Sequence, residues 1–329
     1  MFPRILLVQP PVYDFTAYDY WLKPYGLLDV AGRLRGRAEM RLFDFLDRSH
    51  RGMDPEGRLR KDAWGRGAFR ENPIDVPEAL QDVRRRFRRF GLPQEAFHSF
   101  LRENEPFDVA LIQTGMTYWY LGVTEVLREL QRQSPHTLTV LGGPYASLCP
   151  EHARTLGPNL VVEGSDLRSL WDLLGTRGKE EEAPLWEAYG KIETGVIRLI
   201  RGCPFRCTYC ASHRLCPEVH VENWDRNRAA LDTLCRLGCK HLAFYDDALL
   251  YRAEEVLIPF LEEVKSRCGS CQIHTPNAIH ARWVSTDVAD CLVKASLGYV
   301  YLGLENTSEP WHKATGNKVT QEEFLSAVR

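Results

Sequence analysis

Short, continuously apolar runs alternate with longer amphipathic stretches along most of this chain. That alternation limits its fold more than any other feature. Ile5-Leu-Leu-Val8, Met40-Arg-Leu-Phe-Asp-Phe45, Val109-Ala-Leu-Ile112, Leu138-Thr-Val-Leu141 and Leu160-Val-Val162 read as buried strands, with helix-period stretches such as 121–133 between them. A strand that is apolar on both faces must be covered on both faces. A helix after each strand does this and returns the chain to start the next strand in parallel. Residues 1–175 therefore predict an open parallel α/β sheet.

Residues 47–105 form a large insertion after the second strand, rich in arginine at Arg84-Arg-Arg-Phe-Arg-Arg89. Val76, Leu80, Val83, Phe87 and Phe90 fall at helical spacing, so the segment reads as helical, with the arginines on its solvated face rather than as a nucleic-acid patch. Residues 176–194 are polar and weakly patterned and read as a linker. A second series starts at Gly195. Its strands run to Ile200, from Lys240 to Tyr245, from Gln272 to His274 and from Tyr299 to Leu304, with helices to Leu237, from Ala253 to Arg267 and from Thr286 to Ser296. This is a βα series of the barrel kind over 195–329. Only one more helix fits, Thr320 to Arg329, and it lacks a C-cap signal; the expectation is an incomplete barrel in a shortened form of a longer protein.

A length of 329 residues suits about two domains. Lys plus Arg number 42 and Asp plus Glu 44, so bulk charge gives no pull toward nucleic acid or an anionic membrane. The N-terminus has no signal-peptide core, and no apolar run approaches the ~20 residues that span a bilayer. The expected location is cytoplasmic. Ten cysteines there suggest metal chemistry rather than a disulfide framework.

Three of them stand as Arg201-Gly-Cys-Pro-Phe-Arg-Cys-Thr-Tyr-Cys210, with the spacing C-x3-C-x2-C. Three thiolates can hold three corners of a cubic iron–sulfur cluster and leave the fourth iron open to a substrate or cofactor. A zinc site is the alternative and needs a fourth ligand, for which His213 or Cys216 is near in sequence. Cys268 and Cys271 form a C-x2-C pair, Cys235 and Cys239 share a helix face, and Cys149, Cys216 and Cys291 stand alone. Buried thiols account for most of these, with a second cluster as the open alternative.

The triplet, with aromatic Tyr209 before its last cysteine, resembles the signature of the radical S-adenosylmethionine (radical SAM) enzymes. The resemblance implies that Cys203, Cys207 and Cys210 hold a [4Fe–4S] cluster and that Tyr209 lies near the adenine of SAM. It also implies reductive cleavage of SAM to a 5′-deoxyadenosyl radical, a partial barrel of six strands, and an electron donor such as flavodoxin or ferredoxin. Phe244-Tyr-Asp-Asp-Ala248 departs from the family's Gly-Gly-Glu motif and offers Asp246 and Asp247 to the SAM amino group. Glu305, in Gly303-Leu-Glu305, matches the family's Gly-x-Glu contact to SAM. His274, Asn277 and His280 could line the same mouth.

Pro10-Pro11, Pro24-Tyr-Gly-Leu-Leu28, Leu141-Gly-Gly-Pro-Tyr-Ala-Ser-Leu-Cys-Pro-Glu151 and Val162-Glu-Gly-Ser-Asp166 resemble the cobalamin-binding domain joined to many of these enzymes. The implied fold is a Rossmann-like (flavodoxin-like) parallel sheet followed by a partial radical SAM barrel. The implied cobalamin-binding residues are Gly26, Thr114, Gly142, Gly143, Glu163 and Gly164. The Asp-x-His-x-x-Gly motif is absent: the loop after the first strand has Asp14 and Asp19 but no histidine. Thr114-Gly-Met-Thr-Tyr-Trp-Tyr120 is an aromatic loop suited to packing on a cofactor, closing a domain interface, or simply filling the core. The expected function is radical chemistry on an unread substrate, with cobalamin-dependent methyl transfer as its natural outcome. Rearrangement, cyclisation or oxidation without cobalamin is one alternative; a non-catalytic metal-binding protein is another.

Overall fold

Alternate residues of the first strand point to different layers, and this sets the architecture of the N-terminal half. The structure, a computed structural model, describes residues 2–329. It divides into two units, 1–189 and 190–329. In the first, β1 (Arg4–Gln9), β2 (Glu39–Asp44), β3 (Val109–Gln113), β4 (Leu138–Gly142) and β5 (Leu160–Val162) make one sheet. All its pairings are parallel and the spatial order is β5-β4-β3-β1-β2. Read from the other edge this is 2-1-3-4-5, the flavodoxin-like order, with its switch point between β1 and β3.

Ile5 and Leu7 join a core layer with Leu27, Ala31, Val109 and Leu111; Leu6 and Val8 join the opposite layer with Phe43, Phe97, Ala110 and Ile112. Helix α1 (Tyr25–Arg33) covers the first layer, while α2 (Gln94–Asn104) and α3 (Tyr120–Gln133) cover the second. Each fully buried Leu or Ile stabilises by roughly 1.5–3 kcal/mol. The approach of α3 depends on Gly122, where an added Cβ would lie 1.9 Å from Pro11 O.

The insertion is not the helix its spacing suggests. Phe87–Phe90 is a strand, paired antiparallel with Val12–Asp14 on one side and Glu71–Ile74 on the other. Only Gln94–Asn104 is α-helical, besides a short 3₁₀ turn at Glu78–Leu80. Arg84, Arg85 and Arg86 are exposed. Arg89 is instead buried in a bidentate pair with Glu125 at 2.7 and 2.8 Å. The stretch read as a linker is also partly packed: Lys179 N and Leu185 N donate to Arg33 O and Leu28 O, and Trp186 is fully buried.

In the second unit, β6 (Thr194–Ile197), β7 (His241–Phe244) and β8 (Gln272–His274) form a three-stranded parallel sheet in chain order. α4 (Trp224–Arg236) and α5 (Leu257–Cys268) connect them. The fourth strand expected at 299–304 does not form. Only single bridges, Ile279↔Leu302 and Ile273↔Leu297, join that region, and Val300 and Tyr301 are exposed. Ser296 and Glu305, on either side of the segment, have positive φ, which interrupts an extended ladder. Among the described residues no helix is long and apolar enough to cross a membrane.

Candidate functional site

Ligand sites of parallel sheets lie at the carboxyl ends of the strands. In the second unit that edge is fixed by Asp246. Its Oδ1 accepts from Leu199 N at 2.9 Å and Ile200 N at 2.6 Å, tying the turn after β6 to the end of β7. Asp246 is 2 % exposed and its Oδ2 has no partner, so burial pushes its carboxyl up to about 7. Both oxygens are turned inward, which makes Asp246 a clamp for the cysteine loop. Its neighbour Asp247 is half-buried and accepts from Ser212 Oγ at 3.1 Å.

Ile200–Arg201 pairs with His220–Val221 and leads into the triplet. Cys207 is buried; Cys203 and Cys210 are half-buried. Burial pushes the Cys203 thiol up to about 11, with Asp247, Cys207 and Cys210 adding to it. Ser212 N donates to Cys210 Sγ at 3.4 Å. Cys203 Sγ lies 3.7 Å from His280 Nε2. His280 is stacked on Phe205, and burial lowers its pKa to about 4.

The loop is braced from behind by the chain after α6 (Glu309–Ala314). Thr208 N donates to Thr315 O, and a Cβ on Gly316 (φ +113) would lie 3.0 Å from Cys207 Cα. Tyr209 stacks on Trp311 with ring centroids 5.3 Å apart, and its hydroxyl is held well above its usual pKa by burial and a hydrogen bond with Cys207. Glu305 holds Lys318 Nζ at 2.7 Å from a backbone at φ 68, a strained conformation for a residue with a Cβ.

Among the described residues no three His, Cys, Asp or Glu side chains close on a point that would hold one ion. Cys216 does not complete a zinc site; it donates to Glu218 O at 3.0 Å. Three thiols on a braced loop, with a backbone N–H aimed at one sulfur, fit a cluster bound at three corners. Of the other mouth candidates, Asn277 Nδ2 donates to Asp246 O, whereas His274 is buried in the sheet against His241 at 3.1 Å.

Residues 197–329 match the family model of the radical SAM superfamily. They form a radical SAM domain. No curated protein matches the chain. Among solved structures, two of the radical S-adenosylmethionine methyltransferase TsrM from Kitasatospora setae share the fold over the whole chain. One, with tryptophan substrate and the SAM analogue aza-SAM bound, has a TM-score of 0.66 at 15 % identity, covering 99 % of this chain and 65 % of that one. The other, with cobalamin and a [4Fe–4S] cluster bound, has a TM-score of 0.63 at 14 % identity, covering 100 % and 67 %. The chain thus spans about two thirds of the length of these proteins. The radical SAM domain contains the triplet, Tyr209, Asp246, Asp247 and Glu305. Trp311, Gly316 and Lys318 lie far along the chain and carry no motif; Ser212 was readable only as a hydroxyl two residues past Cys210.

The six residues expected to bind cobalamin lie at the carboxyl edge of the first sheet. Gln113 Oε1 accepts from Leu27 N, beside Gly26, and Thr114 N donates to Gly142 O. Ala146 N donates to the fully buried Thr114 Oγ1, and Gly164 N donates to Ser147 Oγ. Glu163 pairs with Arg154. A Cβ on Gly26 or Gly142 would meet nothing closer than 3.6 Å, and one on Gly164 nothing within 4 Å, so backbone is accessible there to a flat ligand. Gly143 differs: at φ +115 its Cβ would strike Thr114 O at 2.4 Å, so it is needed for the turn itself. The aromatic loop splits in use. Trp119 Nε1 donates to Asp14 and the ring packs on the core, while Met116 and Tyr118 are 53 % and 59 % exposed on the same edge.

Proposed function

We propose that this protein is a radical SAM enzyme that holds a [4Fe–4S] cluster at Cys203, Cys207 and Cys210 and binds cobalamin at the carboxyl edge of its first sheet. The observation that carries this reading is the triplet, placed on a braced loop at the carboxyl edge of a parallel sheet within residues 197–329. When bound, such a cluster supplies the electron that splits SAM into methionine and a 5′-deoxyadenosyl radical, and cobalamin supplies a transferable methyl group.

The chain's own residues fix the geometry. Asp246 sets the loop, Ser212 orients the Cys210 sulfur, and neutral His280 packs beside Cys203 without adding charge. Tyr209 on Trp311 gives a flat surface for an adenine; Asp247, beside Ser212, and Glu305, beside Lys318, are the carboxylates assigned to the ammonium and the ribose or methionyl part of SAM. The βα series is read as the opening part of a radical SAM barrel, and the reaction as methyl transfer to an unactivated carbon. An electron donor of the flavodoxin or ferredoxin kind is its expected partner.

The test is anaerobic cluster reconstitution with EPR of the reduced protein, with and without SAM, alongside assay for 5′-deoxyadenosine. A [4Fe–4S]⁺ signal that changes on adding SAM and is lost in Cys207→Ala is the expected result. A cluster indifferent to SAM overturns the radical reading. Failure to retain cobalamin on anaerobic purification overturns the cobalamin part alone.

A further inference from the structure

Four cysteines outside the triplet come together at the opposite, amino end of the second sheet. Cys235 is in the last turn of α4, and Cys239 follows it through a tight turn in which Gly238 N donates to Cys235 O and Cys239 N to Leu234 O. Cys268 ends α5, and Cys271 N donates back to Cys268 O across Gly269-Ser270. Lys240 and Gln272, the next residues after Cys239 and Cys271, join the two turns through Gln272 N to Lys240 O at 2.9 Å. The result is two sulfur pairs, each one backbone turn from the other. Cys235 and Cys268 are bonded, with Cα atoms 5.6 Å apart. Cys271, 6 % exposed, is hydrogen-bonded to Cys239, which also lies against His241 O at 3.2 Å.

We propose that Cys235, Cys239, Cys268 and Cys271 are a second metal site, a tetrathiolate for one structural zinc ion. The spacings C-x3-C and C-x2-C match the ligand pairs of closed four-cysteine zinc sites, and each pair is presented from a turn. A disulfide alone leaves two of the four thiols unexplained. A tetrahedral zinc uses all four, with sulfurs roughly 3.8 Å apart at a Zn–S distance of about 2.3 Å. Among the described residues no open ligand set is gathered, and with Cys235 and Cys268 joined only Cys239 and Cys271 of this group keep their thiols. The bond and the ion are alternatives at the same sulfurs. Opening the bond takes two electrons from a thiol or phosphine reductant, and zinc binding then releases the four thiol protons to solvent. Arg236, Lys240 and Arg267 flank the cysteines in sequence, although Arg267 is already paired with Asp232 and Glu263 and Lys240 with Glu193. The ion would cross-link the ends of α4 and α5 and the starts of β7 and β8, a place that bears on stability rather than on chemistry at the other end.

Metal analysis of a Cys203→Ala/Cys207→Ala/Cys210→Ala variant, purified with a phosphine reductant, isolates this site from any cluster at the triplet. The expected result is about one zinc per chain, retained through gel filtration and absent when Cys239→Ser and Cys271→Ser are added. Because that second change could unfold the domain, the zinc-stripped triple variant is also titrated with Co²⁺, which should give a thiolate-to-cobalt charge-transfer band that zinc abolishes. A reduced triple variant that takes up neither zinc nor cobalt overturns the proposal, and so does iron bound at these thiols in place of zinc.

Discussion

Asp246 shows how one side chain can hold the backbone of a site in place. Its Oδ1 carries two backbone N–H groups while Oδ2 is buried alone. Asp246→Ala leaves Leu199 N and Ile200 N without that acceptor and should cost about 2–4 kcal/mol. Asp246→Asn keeps an acceptor and should cost clearly less. Urea unfolding of the two variants checks this, and equal losses would remove the clamp argument. Asp44 is a second buried carboxylate, held up at about 6 by burial despite Lys23 and a 2.6 Å hydrogen bond from Tyr189. For both aspartates the folded state keeps a proton that the unfolded chain releases from about pH 4. Stability from these groups therefore falls as pH rises, through about 6 for Asp44 and about 7 for Asp246. Asp44→Asn should flatten the fall between pH 4 and 6 by roughly 3 kcal/mol at most, read from unfolding free energies across that range. The chemistry of Asp246 and Asp247 was legible as carboxylates at a strand end. That Asp246 would turn onto the backbone while Asp247 meets Ser212 was not, because it depends on the turn at Leu199 and Ile200, far away in sequence.

Among the elements, α3 carries two close constraints. Gly122 lets it approach Pro11, and Glu125 on the same helix neutralises Arg89 and accepts from Tyr13 Oη at 2.5 Å. Glu125→Ala leaves a buried guanidinium unpaired and should cost about 3–5 kcal/mol. Gly122→Ala should also lower the melting temperature, since the obstacle is backbone rather than a movable side chain. A melting temperature unchanged in Gly122→Ala would contradict the packing described for α3. The sheet strands were readable because each is buried by its own apolar run. The strand Phe87–Phe90 was not: its phenylalanines fit a helical period equally well, and its partners Val12–Asp14 and Glu71–Ile74 are set by tertiary pairing. The converse error fell at 299–304, where an apolar-looking run finds only isolated bridges.

For the molecule as a whole, the proposed ligands should mark separate stretches. In hydrogen exchange, cobalamin should protect 114–119, 142–147 and 163–166, while SAM added to the cluster-loaded protein should protect 203–212 and 303–308. Protection by cobalamin confined to the second unit would refute its assignment to the first sheet. The brace behind the cysteine loop also imposes an order on the protein's making. Gly316 follows Cys210 by about a hundred residues. At ~5–20 residues per second the ribosome needs roughly 5–20 s to add that much chain. For that interval the triplet has no Thr315 or Gly316 to lie against it, and once it leaves the ribosome its thiols are available to whatever delivers iron and sulfide and equally to whatever oxidises them. A segment made well after the triplet thus closes the cysteine loop, and cells short of cluster supply in that interval would bury empty thiols behind it.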